Sequence, residues 1–195
     1  VGRGADGQGR ELAPDMGGGA NATWTLSGDL SVGYGGRGAL TIKDGGLVSN
    51  HLTNIGAFNT GNGTATITGA GSTWNNDNMA VGYLGSQGSL IVQNGGHVTS
   101  GNGTVGNSGT GSATVTGAGS VWDISGALTV GFLGTGTLLL DEGGAMSTLL
   151  LSLGYGASSS GTATIAGAAS HWDIGAVGIR MCENGADSTL TINGG

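Results

Sequence analysis

Basic residues are scarce in this chain: five Lys and Arg stand against twelve Asp and Glu, for a formal net charge of −7. Arg3, Arg10, Arg37, Lys43 and Arg180 are scattered, so no basic stripe exists to neutralise a phosphate backbone, and nucleic acid is excluded as a partner. Docking onto anionic lipid is disfavoured for the same reason. Cysteine occurs once, at Cys182, which rules out an internal disulfide framework and leaves either a free thiol or simply a small residue. One proline and no period of three exclude a collagen-like chain. No apolar run approaches the ~20 residues needed to cross a bilayer. The longest candidate, Leu138 to Leu140 followed by Leu149 to Leu151, is broken by Asp141, Glu142, Gly143 and Gly144.

Glycine is abundant instead, with 46 in 195 residues, and apolar residues make up 37% of the chain. They recur in phase, so enough apolar surface is available to offset the ordering entropy. The four tryptophans, Trp24, Trp74, Trp122 and Trp172, are 50, 48 and 50 residues apart, an interval typical of repeat architectures. The segment Gly63-Thr-Ala-Thr-Ile-Thr-Gly-Ala-Gly-Ser-Thr-Trp74 returns as Gly111 to Trp122 and Gly161 to Trp172. A second motif, Ala39-Leu-Thr-Ile-Lys-Asp-Gly-Gly46, returns at Ser89 to Gly96, Thr137 to Gly144 and Thr189 to Gly195. An aliphatic residue followed by glycine precedes each motif, at Val32-Gly33, Ile55-Gly56, Val81-Gly82, Val105-Gly106, Val130-Gly131, Leu153-Gly154 and Val177-Gly178. These marks divide the chain into coils.

The expected fold is therefore all-β: a right-handed parallel β-helix (β-solenoid) of about seven coils of ~24 residues, three short strands per coil, with a two-coil sequence repeat of ~49 residues. Period-two alternation sends Leu40, Ile42, Ala65 and Ile67 inward and Thr41, Thr64, Thr66 and Thr68 outward. Equal coil positions then stack. One inward column reads Leu40, Ala65, Leu90, Ala113, Leu138, Ala163, Leu190, and a second reads Ile42, Ile67, Val92, Val115, Leu140, Ile165, Ile192. A third reads Val48, Trp74, Val98, Trp122, Met146, Trp172. Coils with alanine in the first column carry tryptophan in the third, which keeps core volume level from coil to coil and explains why the period is two coils. Residues 1–18, where Pro14 to Gly18 replaces an expected strand, form an irregular segment or imperfect coil. Residues 19–195 form the solenoid, expected to be an excerpt of a longer chain because no signal peptide opens it and it stops within a repeat.

On the residues Gly-Thr-Ala-Thr-Ile-Thr-Gly-Ala-Gly-Ser-Thr-Trp, with Val-Gly and Gly-Gly between, the chain resembles repeats in passenger domains of Gram-negative autotransporter (type V secretion) proteins. The resemblance covers residues 19–195. It implies export across an outer membrane to the cell surface or beyond, and a role as an adhesin, biofilm or structural component. It brings no catalytic residue.

The residues offer no catalytic, metal or cofactor site. His97 and His171 share an outward column three coils apart, ~14 Å at ~4.8 Å per coil, too far for one metal with Zn–N bonds near ~2 Å; His51 lies near a corner on its own. Asp123 and Asp173 follow tryptophans, but Asn75 takes that place in the second repeat, and two coils is ~10 Å, the loose limit for paired carboxylates. Gly4-Ala-Asp-Gly-Gln-Gly9 echoes a calcium-binding nonapeptide in a single copy. Thr64, Thr66, Thr114, Thr116, Thr162 and Thr164 form outward Thr-x-Thr rows, a candidate binding face reminiscent of ice-binding solenoids, interrupted by coils bearing Lys43, Gln93 and Asp141. Strand propensity on a solvated face accounts for them equally well.

The functional expectation is a non-enzymatic structural or adhesive rod of a secreted surface protein. Its partners would be further coils of the same chain, copies of itself, or a surface glycan or protein. The alternatives are a filament subunit stacking end to end, and a carbohydrate-binding or carbohydrate-cleaving β-helix.

Overall fold

The computed structural model describes residues 22–185 and 187–194; the irregular segment expected at residues 1–18 lies outside them. In chain order the first strands are β1 (Thr23–Thr25), β2 (Leu30–Val32), β3 (Arg37–Ile42), β4 (Leu47–Ile55), β5 (Asn62–Thr68), β6 (Thr73–Val81), β7 (Gln87–Gln93) and β8 (His97–Val105). There follow β9 (Thr110–Thr116), β10 (Val121–Ile124), β11 (Ala127–Val130), β12 (Thr135–Asp141), β13 (Ala145–Leu153), β14 (Ser160–Ile165), β15 (His171–Met181) and β16 (Asp187–Ile192). One 3-10 turn at Glu183–Gly185 is the sole helical element among the described residues.

The strands form two sheets in which every pairing is parallel. Seven strands make the first sheet, in the order β3, β5, β7, β9, β12, β14, β16. The second holds the remaining nine. The chain therefore winds as a parallel β-solenoid of about seven turns, the right-handed winding that parallel crossovers adopt. The three strands expected per coil are present as one strand of six or seven residues and two limbs joined at a bend. In β4 the bend falls at His51 and Leu52, successive residues that both face outward, whereas Val48, Asn50, Thr53 and Ile55 face in. In the fifth coil the two limbs are separate strands, β10 and β11.

The inward columns stack in register. Leu40 pairs with Ala65, Ala65 with Leu90, Leu90 with Ala113, and Ala113 with Leu138. Ile42, Ile67, Val92, Val115, Leu140 and Ile165 form the adjacent column. Across the interior, Val48 pairs with Trp74, Trp74 with Val98, Trp122 with Val98 and Met146, and Met146 with Trp172. Trp74 and Trp122 are fully buried. The indole of Trp122 lies over Gly103, where an added Cβ would come within 3.2 Å of Trp122 Cζ2. Towards the last coil the columns open: Ile165, Trp172 and Leu190 are partly buried and Ile192 is exposed.

Corner glycines carry a positive φ for a steric reason. At Gly56 (φ +70°) a Cβ would sit 2.1 Å from the carbonyl oxygen of Gln87 in the next coil, so only glycine fits without displacement. In the last coil, however, the expected corner at Val177-Gly178 is not the equivalent one. Leu153 pairs with Met181, and the Cys182 amide donates to the Leu153 carbonyl at 2.9 Å as that of Gly154 donates to Val130. Cys182 occupies the corner slot with φ 57°. The displacement arises because β15 spans Ile174 to Gly178 where β13 spans only Thr148 to Leu150, a β-bulge.

Candidate functional site

The outer surface offers three arrangements of side chains. The first is the outward face of the seven-stranded sheet. Thr64, Ser89, Ser112, Thr137 and Thr162 form one column, an unbroken file of hydroxyls. Thr66, Ile91, Thr114, Leu139 and Thr164 form the next, broken by two aliphatic residues. The expected Thr-x-Thr rows are therefore aligned column by column and interrupted by the intervening coils. Thr116 pairs with Gln93 and Asp141 in a third column, which Thr68 shares through Gln93, and Ser112 takes the place of Thr64 and Thr162 in the first. Thr116 also donates to Glu142 Oε2 at 3.2 Å.

Histidine–carboxylate pairs make the second arrangement. His51 is not alone at its corner: its Nδ1 lies 3.5 Å from Asp29 Oδ1 and its Nε2 3.3 Å from Asp77 Oδ2, carboxylates of the coils on either side. Sequence spacing concealed this because all three sit at bends. His97 Nε2 meets Asp123 Oδ2 at 3.0 Å, and Ser147 donates to Asp123 Oδ1 at 2.7 Å. The carboxylate stands between hydroxyl and imidazole, so the serine faces no imidazole base, unlike the order that activates a nucleophile. His171 pairs with Asp173 on its own strand at 3.0 Å, while His97 and His171 lie three coils apart in one column. Asp123 and Asp173 are two coils apart through Ser147. Among the described residues no three His, Cys, Asp or Glu are grouped to hold a metal. These pairs are solvent-exposed, and each contributes about 0–1 kcal/mol.

The third arrangement runs along the corner where the nine-stranded sheet gives way to the other. Successive amide-to-carbonyl hydrogen bonds place Ala57, Tyr83, Asn107, Phe132 and Tyr155 in one slot after the corner glycine. Tyr34 and Phe58 lie with ring centroids 4.6 Å apart and Phe132 and Tyr155 at 4.9 Å, the latter stacked. Leu84 and Leu133 project beside them. On the outward face of the seven-stranded sheet is a shallow open groove lined by Asn62, Gln87, Ser89, Thr110, Ser112 and Thr137 with the glycine backbone between them.

The interior also holds a polar column that the period-two pattern concealed, because Asn50, Asn76 and Ser100 occupy inward slots. The Trp74 indole N–H donates to Asn50 Oδ1 at 2.7 Å, and Asn50 Nδ2 donates to the Leu52 carbonyl and Thr53 hydroxyl. Trp122 donates to Ser100 at 3.1 Å. Both amide atoms of Asn76 are buried without a partner, as are Thr148 Oγ1 and Trp172 Nε1.

Compared with known proteins, the chain matches no family model, no curated protein and no solved structure.

Proposed function

We propose that this chain is a stretch of a stiff, non-enzymatic rod belonging to an exported bacterial surface protein, where it acts as an adhesive or structural stalk. The observation that carries the reading is the coil-by-coil continuity of the core. Each inward position is filled from one turn to the next, so the interior is a solid ladder and bending the rod requires parting stacked strands. The outer faces are files of small uncharged side chains, such as Thr64 through Thr162, which suit lateral contacts with a partner. Export accords with the resemblance to autotransporter passengers and with stability drawn from stacking rather than disulfides.

Antibody raised against the chain is expected to label intact cells of the source organism and to lose its epitope when those cells are treated with external protease. Labelling that requires permeabilised cells would overturn the reading. A carbohydrate-directed role is favoured separately by the aromatic pairs at the corner, Tyr34 with Phe58 and Phe132 with Tyr155. The hydrolytic form of that role requires reducing ends to appear when the purified protein is incubated with polysaccharide, whereas the rod reading requires none.

A further inference from the structure

We infer that the outward face of the seven-stranded sheet is a docking surface for a second copy of this chain, the two rods lying antiparallel about a two-fold axis that runs along β9. This deepens the adhesive reading by naming the partner. The face is a regular grid whose pairings hold register without a bulge, whereas the other sheet carries the bulge in β15. Its four outward columns begin at Arg37, Ala39 and Thr41 on β3 and, one residue beyond that strand, at Lys43. At the outward strand positions from β5 to β14 the only charged residue is Asp141. Asp187 stands in the column of Arg37, at its far end on β16. Two cations therefore balance two carboxylates on this face, although the chain as a whole carries −7. The histidine-bearing side differs: Asp29, Asp77, Asp123 and Asp173 lie there, so copies meeting on that side would bring carboxylates together.

Sheets packed face to face keep their strands roughly aligned, so the two-fold axis lies either along the strands or along the solenoid. Ile91 and Leu139 decide between these. They are the two large aliphatic side chains at the outward strand positions, both half-buried, and they flank Thr114 of β9 from either side in one column. An axis along β9 keeps every residue in its column and exchanges β7 with β12 and β3 with β16. Ile91 then lies over Leu139 of the copy, Gln93 over Asp141, and Arg37 over Asp187. No charge meets its like. An axis along the solenoid instead keeps every coil in place and exchanges the first column with the fourth, which sets Arg37 over Lys43 of the copy and Ile91 over Ser89. Apolar and charged residues thus favour the same antiparallel arrangement. Both copies use one patch, so the contact closes at two chains. Seven strands at ~4.8 Å and six residue steps at ~3.3 Å make a face of roughly 600 Å² in plan, comparable with the ~800 Å² per partner of a standard interface.

The test is sedimentation velocity on the purified full chain carrying Cys182→Ser, which excludes disulfide dimers, over a thousandfold concentration range up to about 0.5 mM. This parent is expected to pass from monomer to dimer and no further. Ile91→Lys and Leu139→Glu each set a charge against an aliphatic side chain of the copy, twice per dimer, and each is expected to weaken the dimer at least ~10-fold. An equimolar mixture of the two variants is expected to restore it as a heterodimer. One half of the contact then pairs the introduced ammonium with the introduced carboxylate, while the other half keeps Ile91 against Leu139. At the exposed ends of the face, Arg37→Asp is expected to weaken the dimer and Arg37→Asp/Asp187→Arg to recover it. Far-UV circular dichroism is expected to be unchanged throughout, because all four positions point outward. The inference is overturned by a parent that stays monomeric over the whole range, by growth beyond the dimer, by single variants that dimerise as the parent does, or by a mixture no better than either variant alone. Because the assay uses isolated protein, its failure would leave the surface-rod reading standing, which the labelling of intact cells tests separately.

Discussion

Trp74 and Trp122 show how a large amphipathic side chain is accommodated inside a narrow coil. Each ring is fully buried and its N–H is satisfied by a residue of the preceding coil, Asn50 or Ser100. Removing the acceptor strands a buried donor at a cost of about 1–3 kcal/mol, so Asn50→Ala is expected to lower stability by that amount in urea titrations followed by circular dichroism. Asn76 is the converse case. It occupies the slot of Asn50 one coil later, but Val98 rather than a tryptophan follows it, and both its amide atoms are unpartnered. In the same column Ile124 is buried without difficulty. Asn76→Ile is therefore expected to raise the urea midpoint, with about 1–3 kcal/mol gained by removing an unsatisfied amide. Cys182, at φ 57° in a slot that glycine fills in the coils before it, is held in a conformation that costs a non-glycine residue about 1–2 kcal/mol. Cys182→Gly is expected to stabilise the last coil, seen as slower amide exchange in β15.

At the scale of the strand and coil, the central device is the exchange of volume between the two sheets: alanine in β5, β9 and β14 goes with tryptophan in β6, β10 and β15. A double-mutant cycle tests it. Ala113→Leu alone overpacks the fifth coil at a cost of about 1–3 kcal/mol, and Trp122→Val alone leaves a cavity costing about 2–5 kcal/mol. Together they are expected to recover at least about 1 kcal/mol relative to the sum; strict additivity in equilibrium unfolding would contradict the exchange. The inward columns were legible from sequence because strands β3 to β16 of the first sheet repeat one short alternating pattern and the partner of each inward residue lies one near-constant step away. The corners were not, since that step varies where the chain bends. His51 gained two carboxylate neighbours that no spacing marks, and the bulge in β15 moved the last corner from Val177-Gly178 to Met181-Cys182. The aromatic ridge was missed because it spans corner loops rather than any alternating run, and the polar column at Asn50, Asn76 and Ser100 because it breaks the apolar rule it sits within.

Over the whole molecule, the two-coil alternation runs from Trp24 in β1 and Leu40 in β3 to Trp172 in β15 and Leu190 in β16, with no tryptophan stacked on another among the described coils. Everything else at this scale depends on vertical registry, which cysteine cross-linking reads directly. With Cys182 replaced by serine, the pair Thr66→Cys/Ile91→Cys places two sulfurs on directly stacked residues, whose Cα separation of about 4.8 Å lies within disulfide reach. The pair Thr66→Cys/Gln93→Cys is diagonal, at roughly 8 Å. Rapid quantitative oxidation of the first pair with slow, partial oxidation of the second is the outcome the stacked solenoid requires. Equal rates, or faster closure of the diagonal pair, would contradict it.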